Sequence, residues 1–207
     1  QVEKPWPDPI YFYALPTQAQ ARRVAWPALK ALVPKHWLAC EPSESSMMIS
    51  TVYGSKLYLV GMDKPQRIEG VQWDGGVIDE SSDQKPKSFD LSVRPALSHR
   101  NGWCWRIGVP KRTGCGAADF KEWCLERADA TFTWPSEDIL PPEEIEEAKN
   151  QLDPRDFNEQ YRASWETASG LIFYSFSDIQ NVREVQYNPN LPLLVGSDFN
   201  VDPMAWV

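Results

Sequence analysis

Hydrophobic and polar positions change period repeatedly along the chain, and each change marks an element. Ile10-Tyr11-Phe12-Tyr13-Ala14-Leu15 is aromatic and β-prone, and Pro16-Thr17 closes it as a strand end. Ala21, Val24, Ala25, Ala28, Leu29 and Leu32 then recur at helical spacing, with Thr17 as the cap. Pro27 interrupts that stripe and predicts a kink or two short helices, and Pro34 ends it. Two apolar runs, residues 47–52 and 56–60, flank Tyr53-Gly54-Ser55 as a β-hairpin. Residues 62–69 read as a polar loop carrying Arg67.

Gly75-Gly76-Val77-Ile78 reads as a short strand that ends in two adjacent carboxylates, Asp79 and Glu80. Residues 81–88 are charged and are expected to form a mobile loop. Residues 89–97 mix apolar and basic positions, so helix is predicted only in part because of Pro95. Residues 103–109 predict a strand that enters the turn Pro110-Lys111-Arg112-Thr113-Gly114. Phe120, Trp123, Cys124 and Arg127 give residues 119–128 helical spacing, and residues 130–134 read as a short strand. Pro141-Pro142-Glu143-Glu144 opens a helix with prolines in its first turn and acids at its positive end. A second helix after Pro154 carries Phe157, Tyr161 and Trp165. Residues 166–190 look like a linker, and residues 191–197 begin a new buried strand ending in Asp198. Strands alternating with helices predict an α/β fold with a mainly parallel sheet.

Composition narrows the function classes. The chain has 207 residues, 42% hydrophobic and 24% charged, as in globular domains. No apolar run approaches the roughly 20 residues needed to cross a bilayer. The net charge of −8 argues against nonspecific DNA binding by the whole surface. Local basic stripes could still come from Arg22-Arg23, from the stretch Arg94 to Arg106, or from Lys111-Arg112. Cys40, Cys104, Cys115 and Cys124 have no C-x-x-C spacing and read as free buried thiols of a reducing compartment. Gln1 in place of Met, and a strand starting near the far end, give the chain the look of a fragment.

The chemistry centres on Asp79-Glu80. A strand end holds the first carboxylate rigidly enough to bind the Mg²⁺ that bridges nucleotide phosphates, and the second can orient and deprotonate an attacking water. Taken alone, the pair also fits a solvated strand-to-loop boundary. No G-x-x-x-x-G-K-[ST] occurs anywhere, and Gly54-Ser55-Lys56 lacks the first glycine at the needed spacing.

Several pieces fall in a telling order: Tyr13-Ala14-Leu15-Pro16-Thr17 with Gln20-Ala21-Arg22, Gly54 to Leu59, Arg67-Ile68-Glu69-Gly70 and Val77-Ile78-Asp79-Glu80. Arg94-Pro95-Ala96-Leu97 with Gly102, Gly108-Val109-Pro110-Lys111, Glu143-Glu144-Ile145 with Phe157 to Tyr161, and Gly196 to Asn200 continue it. In order and spacing the chain resembles the large subunit of tailed-phage terminase. That resemblance implies a partial RecA-like P-loop NTPase core over residues 1–165, a linker over 166–190, and the first strand of an RNase H-like nuclease domain over 191–207. It implies that Asp79 holds Mg²⁺ and Glu80 activates water, with Gly108 and Lys111 also facing ATP. Arg67 takes the place of an arginine finger reaching a neighbouring subunit. Val109 stands where relatives usually carry Thr. Asp198 matches the first carboxylate of a two-metal nuclease site using Mg²⁺ or Mn²⁺, with Asp202 close by in sequence. The phosphate-cradling loop of such proteins precedes the strand at Tyr13 to Thr17.

The partners implied are double-stranded DNA, a portal protein, the terminase small subunit and further copies in a ring. Membrane is not among them, and the site of action is the host bacterial cytoplasm. Two other readings stay open at this point: a helicase-like nucleic-acid-stimulated ATPase, and a non-catalytic binding or assembly fragment such as a prophage remnant.

Overall fold

A computed structural model describes residues 7–166, together with the backbone of two short strands near the end of the chain. The chain divides into two compact units, Gln1–Ala168 and Ser169–Val207. The first is built on a five-stranded sheet in the order β2-β3-β1-β4-β5. Its strands are β1 (Ile10–Leu15), β2 (Met48–Ser50), β3 (Lys56–Gly61), β4 (Gly75–Ile78) and β5 (Trp103–Arg106). β3, β1, β4 and β5 run parallel, and β2 joins the edge antiparallel through the predicted hairpin. The sheet is therefore mixed but mainly parallel, as the alternation of elements required.

Side chains alternate across β1, so that strand feeds two cores. Phe12 and Ala14 point to one face, where Val60, Met62, Ile68, Trp73, Ile78, Val93 and Leu97 are buried with them. Leu15 points to the other, against Ala21, Trp26, Met47, Ile49 and Leu59. The first core holds β4 in place. Phe12 lies directly over Gly76, where an added Cβ would sit 2.5 Å from the ring, and meets Trp73 edge-to-face at 5.3 Å. Only a glycine lets the two strands share that ring.

The helices follow the prolines. α1 (Gln18–Gln20) is capped by the Thr17 side chain and passes through a π-turn at Ala21–Ala25 into α2 (Trp26–Leu32), whose first turn holds Pro27. The proline thus opens the second of two helical pieces rather than breaking one. Pro95 behaves likewise: a π-turn at Phe89–Val93 runs into α3 (Arg94–Ser98) with Pro95 in its first turn. α4 spans Ala117–Glu126, α5 Pro142–Gln151 and α6 Pro154–Arg162. Among the described residues no helix is long and apolar enough to cross a membrane.

Three expectations change. The strand expected at residues 130–134 does not form: Ala130 ends a tight turn, and Phe132 and Trp134 stack on one another and stay exposed instead of pairing with the sheet. Residues 81–88 are not solvated throughout: Ser81, Ser82, Gln84 and Ser88 are buried while residues 85–87 are exposed, and the Ser81 and Ser82 hydroxyls and the Gln84 amide N–H donate to nearby carbonyls. Cys40 and Cys115 are exposed rather than buried, while Cys124 is buried as expected.

In the second unit β6 (Ser197–Asp198) pairs antiparallel with β7 (Ala205–Trp206), so Asp198 stands opposite Ala205. The expected linker beyond Glu166, the strand at 191–196 and Asp202 lie outside the described residues.

The Phe12 contact sets the first prediction. Phe12→Ala empties the space above Gly76 and should lower the unfolding free energy by about 3–5 kcal/mol, read from urea denaturation followed by tryptophan fluorescence.

Candidate nucleotide site

Parallel strands deliver their carboxyl ends to one edge of the sheet, and that is where ligands of open α/β sheets bind. Three such ends meet here: Pro16-Thr17 after β1, Asp79-Glu80 after β4, and the loop from Ile107 to Lys111 after β5. Register brings Tyr13 beside Val77, two residues before Asp79. The Tyr13 hydroxyl donates to Asp79 Oδ2 at 2.6 Å, and the Glu80 N–H donates to Asp79 Oδ1 at 2.8 Å. The Asp79 N–H reaches back to the Ala14 carbonyl, 2.8 Å away. Asp79 is therefore fixed at both carboxylate oxygens and at its backbone. Burial first, then the bond to Asp79 and the nearby negative charges, push the Tyr13 phenol well above its ordinary value, so it stays a donor.

Glu80 is placed differently. Its backbone is left-handed, at φ 49° and ψ 50°, a conformation that costs a non-glycine residue about 1–3 kcal/mol. The twist turns its side chain away from Asp79 and toward the loop leaving β5. One oxygen of the Glu80 carboxylate is shielded from solvent without a hydrogen-bond donor. The ammonium of Lys111 lies 3.6 Å from it, too far for that bond but close enough for an ion pair. Lys111 itself donates to Asp83 at 2.5 Å. Burial works to lower the Lys111 pKa, but the bond to Asp83 and the charges of Asp83 and Glu80 outweigh it, so the ammonium is held above its ordinary value.

The two loops are fastened together by backbone contacts. The Ser81 N–H donates to the Ile107 carbonyl at 2.9 Å, and the Ser82 hydroxyl donates to the Val109 carbonyl at 2.5 Å. Gly108 takes φ 150°, and a Cβ there would come within 2.8 Å of the Ser81 nitrogen. Gln84 closes the turn from below, its amide donating to the Asp79 carbonyl at 2.7 Å. Because Val109 enters through its carbonyl, this attachment does not need a hydroxyl side chain at that position.

Arg67 stands apart from this group. Its Nη1 donates to Asp63 Oδ1 at 2.6 Å and to the Gly61 carbonyl at 3.0 Å, with Gln18 Oε1 at 3.3 Å. These are the groups at the carboxyl end of β3 and the start of α1. Asp198 belongs to the second unit, and only its backbone is described. The structure thus brings together Asp79, Glu80, Gly108 and Lys111, and adds Tyr13, Ser82, Asp83 and Gln84. No local signal in the sequence marks those four, since each acts through strand register or loop packing.

The basic stripes do not assemble into one surface. Arg100 is tied to Asp74 and Asp8. Arg106 is enclosed by the rings of Phe89, Phe120 and Trp123, each 5.3–5.4 Å from its guanidinium. Arg112 pairs with Asp156 and Glu159 of α6. Arg22, Arg23 and Arg94 remain exposed.

A mainly parallel α/β sheet with paired carboxylates at its carboxyl edge defines an open α/β protein of the kind that places ligands at strand ends. No family model matches the chain. It is 25% identical over 174 residues to the terminase large subunit of Escherichia phage T5, covering 79% of this chain and 39% of that protein. The chain therefore spans about two fifths of the curated relative's length. Its fold is that of the large-terminase ATPase domain of Thermus phage P74-26, with a TM-score of 0.63 at 17% identity over 77% of this chain and 78% of that one. It also matches the large terminase of a thermophilic bacteriophage solved with ADP, with a TM-score of 0.62 at 17% identity, over 95% of this chain and 50% of that one. The same protein has been solved with ATP-gamma-S. The resemblance to terminase large subunits is borne out by both sequence and fold.

The geometry makes two substitutions informative. Tyr13→Phe removes one donor from a half-open carboxylate and should cost about 1 kcal/mol of stability, measured by chemical denaturation. Lys111→Met should lower the melting temperature by a margin that is constant across neutral pH. Since the folded-state pKa lies above the ordinary value of 10.5, that margin persists below 10.5 and vanishes only as pH rises through the folded value.

Proposed function

We propose that this chain is the nucleotide-hydrolysing part of a DNA-packaging large terminase, coupling ATP hydrolysis to movement of double-stranded DNA. The observation that carries the reading is the fixed Asp79 beside a differently oriented Glu80, both held against the loop that leaves β5. Relatives solved with ADP and ATP-gamma-S support it, as does the curated terminase relative.

The residues fit a magnesium nucleotide. Among the described residues no group of three or more His, Cys, Asp or Glu could hold a metal unaided. Mg²⁺ of ATP sites is bound by one or two carboxylates with substrate phosphates completing its shell, which suits Asp79. When bound, the ion would neutralise charge on the phosphates. Tyr13 orients the Asp79 carboxylate for that contact. Glu80, whose shielded oxygen has no donor, takes a proton from a water and directs it in line with the phosphoryl group. Lys111 and Asp83 set the angle of that side chain. Arg67 lies at a neighbouring strand end, bonded to Asp63 and the Gly61 carbonyl, and on this reading it would serve as the arginine finger for a second copy's nucleotide.

The second unit would start a metal-dependent nuclease, with Asp198 as its first carboxylate and Mg²⁺ or Mn²⁺ as its ions. Portal protein, a small terminase subunit and a ring of copies complete the assembly this reading requires. The sequence contains no phosphate-cradling G-x-x-x-x-G-K-[ST], and without such backbone donors the β- and γ-phosphates lose their main hold. That absence favours a second reading for the chain by itself, a binding or assembly piece of the motor.

Phosphate release from Mg-ATP tests both. The chain alone should give turnover no greater than its Glu80→Ala variant. In a polypeptide extended to include a phosphate loop, Glu80→Ala should reduce hydrolysis at least about a hundredfold while nucleotide binding is retained. Equal turnover in the extended wild type and variant would remove Glu80 from its role.

A further inference from the structure

Charge is segregated to opposite edges of the sheet, although the chain is acidic overall. Residues 18–40 contain Arg22, Arg23, Lys30 and Lys35 and no Asp or Glu. Residues 126–147 contain eight Asp and Glu against the single Arg127. The basic segment is α1, α2 and the turn at Lys35–Trp37. It closes the β2 edge, where the Val52 N–H donates to the Trp37 carbonyl at 2.9 Å. The acidic segment begins in α4, beside β5 at the far edge, and continues into α5. β2 and β5 are the two ends of the sheet, so the two surfaces of one molecule cannot meet each other.

Each of the two segments also exposes large apolar groups, or packs against ones that are exposed. On the basic side Leu32 is 78% exposed and Tyr53 68%, with Trp37 set edge-on to Tyr53 at 5.8 Å. On the acidic side Phe132 and Trp134, 71% and 72% exposed, are stacked at 5.9 Å, and Ile139 is 75% exposed. Exposed aromatics in a charged segment match the composition of protein contact sites, where aromatic anchors sit inside a polar rim. Eight carboxylates rule out a nucleic-acid backbone as the occupant of the acidic surface.

We infer that these two surfaces bind each other between copies of this chain, the Phe132/Trp134 surface of one copy seating on the Trp37/Tyr53 surface of the next. Because the two patches differ and lie at opposite edges, the contact is head-to-tail. It propagates into a ring if the rotation closes and into a filament if it does not. Arg22, Arg23 and Lys35 face the carboxylates of Glu143, Glu144 and Asp138, and the aromatic groups fill the space between. Lys30 contributes less, since it already pairs with Glu44, and Arg22 donates one guanidinium N–H to the Glu44 carbonyl while staying exposed. This names the contact for the multi-copy arrangement proposed above. It does not rest on the nucleotide chemistry, and its test needs no ATP.

Sedimentation equilibrium of the purified chain across the micromolar range is the experiment. The wild type should show concentration-dependent mass at low ionic strength, weakened in about 1 M salt, where the screening length falls to about 3 Å. Arg22→Glu/Arg23→Glu and Glu143→Lys/Glu144→Lys should each be monomeric, with circular dichroism unchanged. Mixing the two should restore association, because every contact in the alternating assembly is then again of opposite charge. Trp134→Ser, which alters no charge, should weaken wild-type association at least about tenfold in both salt conditions. Should either reversal disturb folding, Lys35→Glu and Asp138→Lys address the same surfaces. A wild type monomeric at every concentration, reversal variants that associate like the wild type, or a mixture that stays monomeric would each overturn the inference.

Discussion

Glu80 keeps its left-handed backbone because the loop leaving β5 is pressed against the next two residues. Three contacts hold that loop down: Ser81 on the Ile107 carbonyl, Ser82 on the Val109 carbonyl, and the bare α-carbon of Gly108 against the Ser81 nitrogen. Two hydrogen bonds in a partly buried setting can offset a strain of about 1–3 kcal/mol. The result is a division of labour between neighbouring carboxylates. Asp79 continues the strand and is immobilised by Tyr13 and its own backbone. Glu80 leaves the strand direction and faces a lysine. Two acids adjacent in sequence thereby acquire different surroundings, which a site needs if one is to hold a cation's shell and the other is to accept a proton.

The same loop connects the site to the rest of the first unit. Lys111 reaches Asp83 and Glu80, while its neighbour Arg112 donates its backbone N–H to Glu159 and its guanidinium to Asp156, and also forms an ion pair with Glu159. Glu159 is itself buried in α6. A change in the angle of Glu80 is therefore two residues and two ion pairs away from a helix on the other side of the loop. Arg67 belongs to a separate group at the end of β3, where Asp63 and the Gly61 carbonyl hold it. Arg67 and the Asp79/Glu80 pair are thus held at different strand ends by separate sets of partners.

The acidic composition conceals an uneven surface. Arg22, Arg23, Lys30 and Lys35 lie on the segment beside β2, with Glu44 packed against Trp26 and Lys30, and the acids accumulate in the segment after α4. Two aromatic groups mark each end. A protein that only needed solubility could distribute those charges evenly, and it would not leave Phe132 stacked on Trp134 in water.

The sequence by itself determined the alternation of strands and helices, the division of the first helix at Pro27, the opening of α5 at Pro142, and the carboxylate pair at the end of β4. These are local properties, set by side-chain periodicity and by the fixed φ and missing N–H of proline, and they need no partner. What only the tertiary structure decided is non-local. Tyr13 meets Asp79 because β1 and β4 lie side by side in one register. Ser81, Ser82 and Gln84 are buried because carbonyls of the loop leaving β5 and of the Asp79 turn accept their hydrogen bonds. The apolar run at 130–134 stays out of the sheet, where β5 is the last strand. Hydrophobic period says which face a residue can bury. It does not say against what, because sheet order and strand register are fixed only when distant segments pack and satisfy each other's backbone groups.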